Sequence, residues 1–190
     1  MKKFIRSKNI LSIILCLIIA SAMFPTGVMT ASAEAAKTYH VSSDTELDAA
    51  VAEINEKDSG TYDIYIDSDF TKNGGYALQK NTVTIYGEGH TITFTGVSQG
   101  FNVMNGTTLN LGAQNYSKTL TLSGDNTAEV DAGLIYINNV VYPKIDKTYD
   151  TSNQSVCNMY SGVTLKDHRS DNNYGGGVTV EGAIFHIQGP

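Results

Sequence analysis

After Gly60 the chain alternates apolar and polar residues in short runs. Ile64 and Ile66, Val83 and Ile85, Ile92 and Phe94, Phe101 and Val103, and Leu109 and Leu111 are each separated by one residue. Leu120 and Leu122, Ile135 and Ile137, Val163 and Leu165, Val178 and Val180, and Phe185 and Ile187 continue the series. A period of two predicts strands, and one apolar pair per run leaves each strand about two side chains for a core. Turn residues separate the runs: Gly87-Glu88-Gly89, Gly96, Asn105-Gly106, Gly112, Gly124-Asp125-Asn126, Gly175-Gly176-Gly177 and Gly182. Strands this short are below the usual length in a sandwich. They become stable when copies stack in register above and below, which is a solenoid. The pairs group by threes as 83–85, 92–94 and 101–103, then 109–111, 120–122 and 135–137, then 163–165, 178–180 and 185–187. A hairpin meander is the competing architecture and asks for two-residue Asn-Gly loops, of which Asn105-Gly106 fits well. The longest interval, Asn138 to Ser161, is expected to project from one face.

One segment has a different period. Leu47, Ala50, Val51 and Ile54 recur at i, i+3, i+4 and i+7, and Ser43-Asp44-Thr45-Glu46 before them is a capping-box sequence. An amphipathic helix at the start of a β protein has to cover an open sheet edge or core end.

Before this helix the pattern is of another kind. Lys2, Lys3, Arg6 and Lys8 precede a nearly continuous apolar run from Ile10 to Phe24, and Ala31-Ser32-Ala33 follows. That is the order of an export signal, with cleavage expected before Glu34; the apolar core is short for a membrane anchor. Removal of the segment leaves nine basic against nineteen acidic residues, a net charge of about −10 instead of −6. An acidic chain with no basic cluster is a poor partner for nucleic acid or anionic lipid. A single cysteine, Cys157, remains, so no intrachain disulfide and no cysteine-based zinc site is expected.

Four stretches resemble one known family. The helix followed by TYDIYIDSDFT, the pair TVTIYGEGHTITFTG, and GTTLNLG with KTLTLSG resemble successive coils of the right-handed parallel β-helix of the pectin-lyase-like family. VTLKDHRSDNNYGGGVTVEGAIFHI is similar to repeats in adhesin-like surface proteins of gut Gram-positive bacteria. The resemblance implies an all-β fold: a right-handed parallel β-helix (solenoid) of about three coils behind an N-terminal amphipathic capping helix. The expected layout is a signal peptide at 1–33, an N-terminal segment with the capping helix at 34–60, and the β-helix at 61–190. Nothing like a C-terminal cap precedes Gly189-Pro190, so truncation of a longer chain is expected. The scaffold serves lyases, hydrolases and pure adhesins alike, so activity does not follow from it.

Candidate chemistry is sparse. Lys166-Asp167-His168-Arg169 combines acid, cation and imidazole, and Asp167, His168 and Arg169 are the catalytic candidates for polysaccharide lysis or hydrolysis; the alternative is a solvated turn. Asp67 and Asp69 share one face if the strand continues through them and are the metal candidates; no cofactor is expected beyond a calcium ion there, and the alternative is an acidic edge that discourages strand addition. Eleven tyrosines without a tryptophan suggest aromatic contacts to sugars, with Tyr136, Tyr142, Tyr149 and Tyr160 as the binding candidates. The expectation is a secreted or cell-surface, non-catalytic β-helix segment, an adhesin-like stalk or glycan-binding module. The alternative is the N-terminal part of a polysaccharide lyase or glycoside hydrolase. Its partners would be a polysaccharide or host glycan, with no nucleic acid, no membrane after cleavage, and self-association through the open last coil.

Overall fold

The computed structural model describes residues 35–96, 99–125, 133–139, 153–169 and 176–189. Its first elements are strand β1 (Lys37–Val41) and helix α1 (Asp44–Asn55). Strands β2 (Thr61–Ile66), β3 (Phe70–Asn73) and β4 (Tyr76–Gln79) make one turn of the chain. β5 (Thr82–Tyr86), β6 (Thr91–Thr95) and β7 (Phe101–Met104) make the next, and β8 (Thr108–Leu111), β9 (Leu120–Ser123) and β10 (Ile135–Asn138) the one after. β11 (Val156–Met159), β12 (Val163–Lys166) and β13 (Val178–Glu181) follow, and β14 (Ile184–Ile187) opens a further turn.

From β2 onward every third strand pairs, and β1 adds to β2; all the pairing is parallel. Sheet A runs β1-β2-β5-β8-β11-β14, sheet B runs β3-β6-β9-β12, and sheet C runs β4-β7-β10-β13. The all-β parallel solenoid expected from the short alternating runs is the fold. The grouping of its last coil is corrected: Val156–Met159, inside the interval expected to project, is the sheet-A strand before β12, and 185–187 belongs to the turn after.

Register explains the apolar pairs. Ile64, Ile85 and Leu111 lie side by side inside sheet A, Ile92 and Leu122 inside sheet B, and Leu78, Val103 and Ile137 inside sheet C. All are fully buried in one continuous cluster. Thus a pair of side chains per strand suffices, because each is covered by its copies in the coils above and below.

Corners admit close backbone contacts. Gly87 lies where a side chain would collide with the Thr119 carbonyl and Leu120, so the sheet A to sheet B corner needs glycine there. At the sheet C to sheet A corner, Asn81, Thr107 and Ser155 are buried polar residues. Their side chains hold the turns: Asn81 Nδ2 donates to the carbonyls of Ile54 and Gln79 (2.8 and 2.9 Å), and Thr107 Oγ1 donates to that of Leu78 (3.0 Å).

Helix α1 covers the core as expected, with Leu47, Ala50, Val51 and Ile54 buried and contacts to β1, β3 and β4. Ser43 Oγ accepts from the Glu46 amide at 3.3 Å. The returning Glu46 carboxylate takes the amide of Ser42 (2.6 Å), one residue earlier than a capping box would have it. On β3, Lys72 occupies an inward position beside Phe94. Its ammonium turns up to Asp48 of α1 at 2.5 Å and lies over the Tyr76 ring, so the helix is pinned by charge as well as packing.

Candidate functional site

The outer faces of the three sheets carry most of the chemistry. On sheet A, register aligns Asp63, Thr84, Asn110, Asn158 and His186. Asn158 Nδ2 donates to Asn110 Oδ1 at 2.8 Å, and Asn110 Nδ2 donates to Thr84 Oγ1 at 3.2 Å. Burial raises the Asp63 pKa, and a hydrogen bond from Thr84 partly offsets this. Beside this column runs an aromatic one: His40 stacks on Tyr65 (5.2 Å, 15°) and Tyr65 on Tyr86 (4.5 Å, 11°). At the next register position Gly112, with φ of 73°, has no ring to offer. Tyr116 from the following turn closes edge-on over Tyr86 at 4.9 Å instead.

This geometry decides what the column can do. A ring binds sugar through its face, and the faces of Tyr65 and Tyr86 are already turned to their neighbours.

The tyrosines singled out for binding are not gathered. Tyr136 lies on the outer face of sheet C, its hydroxyl donating to Glu181 at 2.5 Å. Tyr160 follows β11 at the sheet A to sheet B corner, its Cβ within van der Waals reach of the space beside Gly112. Tyr142 and Tyr149 lie outside the described residues.

Asp67 and Asp69 each take a different histidine. His40 Nδ1 is 2.9 Å from Asp67 Oδ2, and His90 Nδ1 is 3.2 Å from Asp69 Oδ1. Asp69 also accepts from the Thr91 amide at 2.8 Å. That bond, then the one from His90, holds its carboxyl below the usual range. Among the described residues no three His, Cys, Asp or Glu side chains converge as a metal-ligating group. The histidine partners were not read from sequence, because β1 and the sheet A to sheet B corner are brought together only by the stacking.

Of the catalytic candidates, Asp167 and His168 line a cavity of about 230 Å³ with Lys166, Leu134, Leu165, Gly176 and Gly177; Arg169 is exposed beside them. Asp167 has a left-handed backbone (φ 54°). Its Oδ2 accepts from Ser123 Oγ at 3.3 Å and lies 3.4 Å from Lys166 Nζ. The carboxylate is thus held by a hydroxyl and an ammonium, and among the described residues no second carboxylate lines the cavity.

Comparison of the chain with family models, with curated proteins and with solved structures finds no match.

Proposed function

We propose that the chain is a secreted or cell-surface β-helix segment without catalytic activity, working as an adhesin-like stalk or glycan-binding module of the pectin-lyase-like type. One observation carries this reading: polar side chains on two outer faces are bonded lengthwise to their copies in neighbouring coils. The Asn158–Asn110–Thr84 column on sheet A does so, and on sheet C Asn138 Nδ2 donates to Asn102 Oδ1 at 2.7 Å. Such columns stiffen a rod and fix its register, which suits display of a surface at a distance from a cell. Catalysis of glycan cleavage asks instead for acids and bases converging on one bond.

The test is retention without turnover. The purified chain is passed over polysaccharide and host-glycan supports with calcium present, and the eluate is assayed for unsaturated products and new reducing ends. Retention with no product is expected. Product release lost in Asp167→Ala would replace this reading with the lyase or hydrolase alternative, which the cavity at Asp167 and His168 favours. Cell fractionation tests the export half of the proposal: a product confined to the cytosol would sink it.

A further inference from the structure

We propose that helix α1 is a charge-matched plug: its acids neutralise two lysines set at inward positions of the first coil, and when the helix lifts those lysines keep another apolar coil from stacking on this end. Inward positions of the described strands hold Val, Ile, Leu, Phe, Tyr, Met or Cys with two exceptions, Lys37 on β1 and Lys72 on β3. Register sets them there: Lys37 lies beside buried Tyr62, and Lys72 beside buried Phe94. Both belong to strands that α1 touches, and among the described strands β1 and β3 are the edges of their sheets.

The two lysines are treated alike. Each ammonium lies over the ring of an inward tyrosine, Lys37 over Tyr39 at 5.0 Å and Lys72 over Tyr76 at 5.1 Å. Each is paired with a carboxylate of α1, Lys37 with Glu53 and Lys72 with Asp48. Asp48 and Glu53 stand more than one turn apart and leave the helix on different sides, so one reaches β3 and the other β1. Of the two ammoniums, that of Lys72 is the more enclosed, its side chain 13% exposed against 52% for Lys37.

A lysine in apolar surroundings is tolerated when paired and costly when not. With α1 seated, each lysine has its acid. With α1 lifted, water takes the place of the acids. A further coil of the same apolar-x-apolar pattern would bring no carboxylate to these positions and would bury two unpaired ammoniums. Inward-pointing charge is one way in which an open sheet edge is kept from pairing. At the other end of the described stack the inward positions of β12, β13 and β14 are Val163, Leu165, Val178, Val180, Phe185 and Ile187, all uncharged, so the device belongs to the helix end.

Hydrogen exchange and sedimentation of the purified chain test the two halves. Asp48→Asn leaves Lys72 without its carboxylate, and the amides of α1 should exchange about tenfold faster while those of β5 and β8 keep their rates. Lys72→Met removes the charge at similar volume, so Lys72→Met/Asp48→Asn should return α1 to within about threefold of its wild-type rate. An Asp48→Asn effect of equal size with and without Lys72→Met would show that the charges are not matched, and would overturn the plug. For the second half, Val51→Asp puts a charge into the buried face of α1 and lifts it, with circular dichroism to establish that the strands persist. This variant should sediment as wild type does, and adding Lys37→Met and Lys72→Met should produce concentration-dependent association. Association with both lysines intact, or none in the triple variant, would overturn the guarding role. Leu47→Ala/Val51→Ala, a milder lesion of the same face, serves the same comparison where Val51→Asp unfolds the strands as well.

Discussion

Single residues in this solenoid are governed by their copies one coil away. Asp63 stands in the sheet A column between Thr38 and Thr84, with Asn110 beyond. Burial raises its pKa above the usual carboxylate value, with the Thr84 hydrogen bond opposing. A raised acid pKa means that the folded state holds the proton more tightly, so stability falls as pH rises through the unfolded value. At neutral pH the charge is therefore a net cost, and Asp63→Asn, which lets an amide continue the column, should leave stability equal or slightly higher in urea melts. A loss above about 1 kcal/mol would contradict this. Cys157 shows the same sign at the other end of the pH scale. It is buried beside Leu109 and Phe185, and burial pushes its thiol up to about 12 from 9.0. Its contribution is complete below pH 9 and is lost as pH rises from there toward 12. The difference in stability between wild type and Cys157→Ala should shrink over that window; a difference independent of pH would show that the thiol does not titrate with unfolding.

At the level of elements, the legible ones are those whose inward positions are Ile, Leu, Val or Phe; β4, with Tyr76 and Leu78 buried inward, was not read because tyrosine is an ambiguous marker. Ile92 with Phe94 and Leu120 with Leu122 were readable as strands because nothing else explains the alternation. β3 was not, because Lys72 stands at an inward position, and its reason for being there, Asp48 on the helix above, is a contact between distant parts of the sequence. β11 hides in a similar way: Cys157 and Met159 are weak markers of a strand, and a long interval surrounds them. β1 lies before the helix, and its pairing with β2 is set by stacking. The candidate sites follow the same division. The acid and imidazole near residue 167 were visible as local composition, but the pairing of Asp67 with His40 and of Asp69 with His90 joins segments 27 and 21 residues apart. Helix α1 was legible in full, and it is where element-scale stability can be checked. Asn81 holds the helix's Ile54 carbonyl and its own turn at once while buried, so Asn81→Ala leaves buried carbonyls unpaired and should cost about 2 kcal/mol. Ser43→Ala removes an exposed cap bond and should cost about 1 kcal/mol. Equilibrium denaturation ranks the two; the reverse order would mean that the helix is held by its own cap more than by the solenoid corner.

For the whole molecule, the two ends of the described solenoid are unlike. At the N-terminal end α1 lays four buried side chains over the core. At the other end β12, β13 and β14 have a partner on one side alone among the described strands, and the inward positions Val180 and Ile187 are 42% and 78% exposed. A solenoid is held by nearest-neighbour coil contacts, so local stability tracks how many neighbours a coil has. Coils between two others should open only with the whole domain, while the last strands should open on their own. Amide exchange of the chain from Glu34 to Pro190 should therefore show the strongest protection in β5, β7 and β8, with β13 and β14 exchanging at least tenfold faster, about 1.4 kcal/mol less protection. Adding residues to the C-terminus that supply one more apolar-x-apolar coil should raise protection in β14 and leave β5 unchanged. Uniform protection across all coils would mean that the stack unfolds as a single unit, and the softness of the last coil would then have no bearing on how a neighbouring coil could dock there. A graded profile instead means that the coils open one after another from that end, with a mechanical stiffness that rises toward the helix.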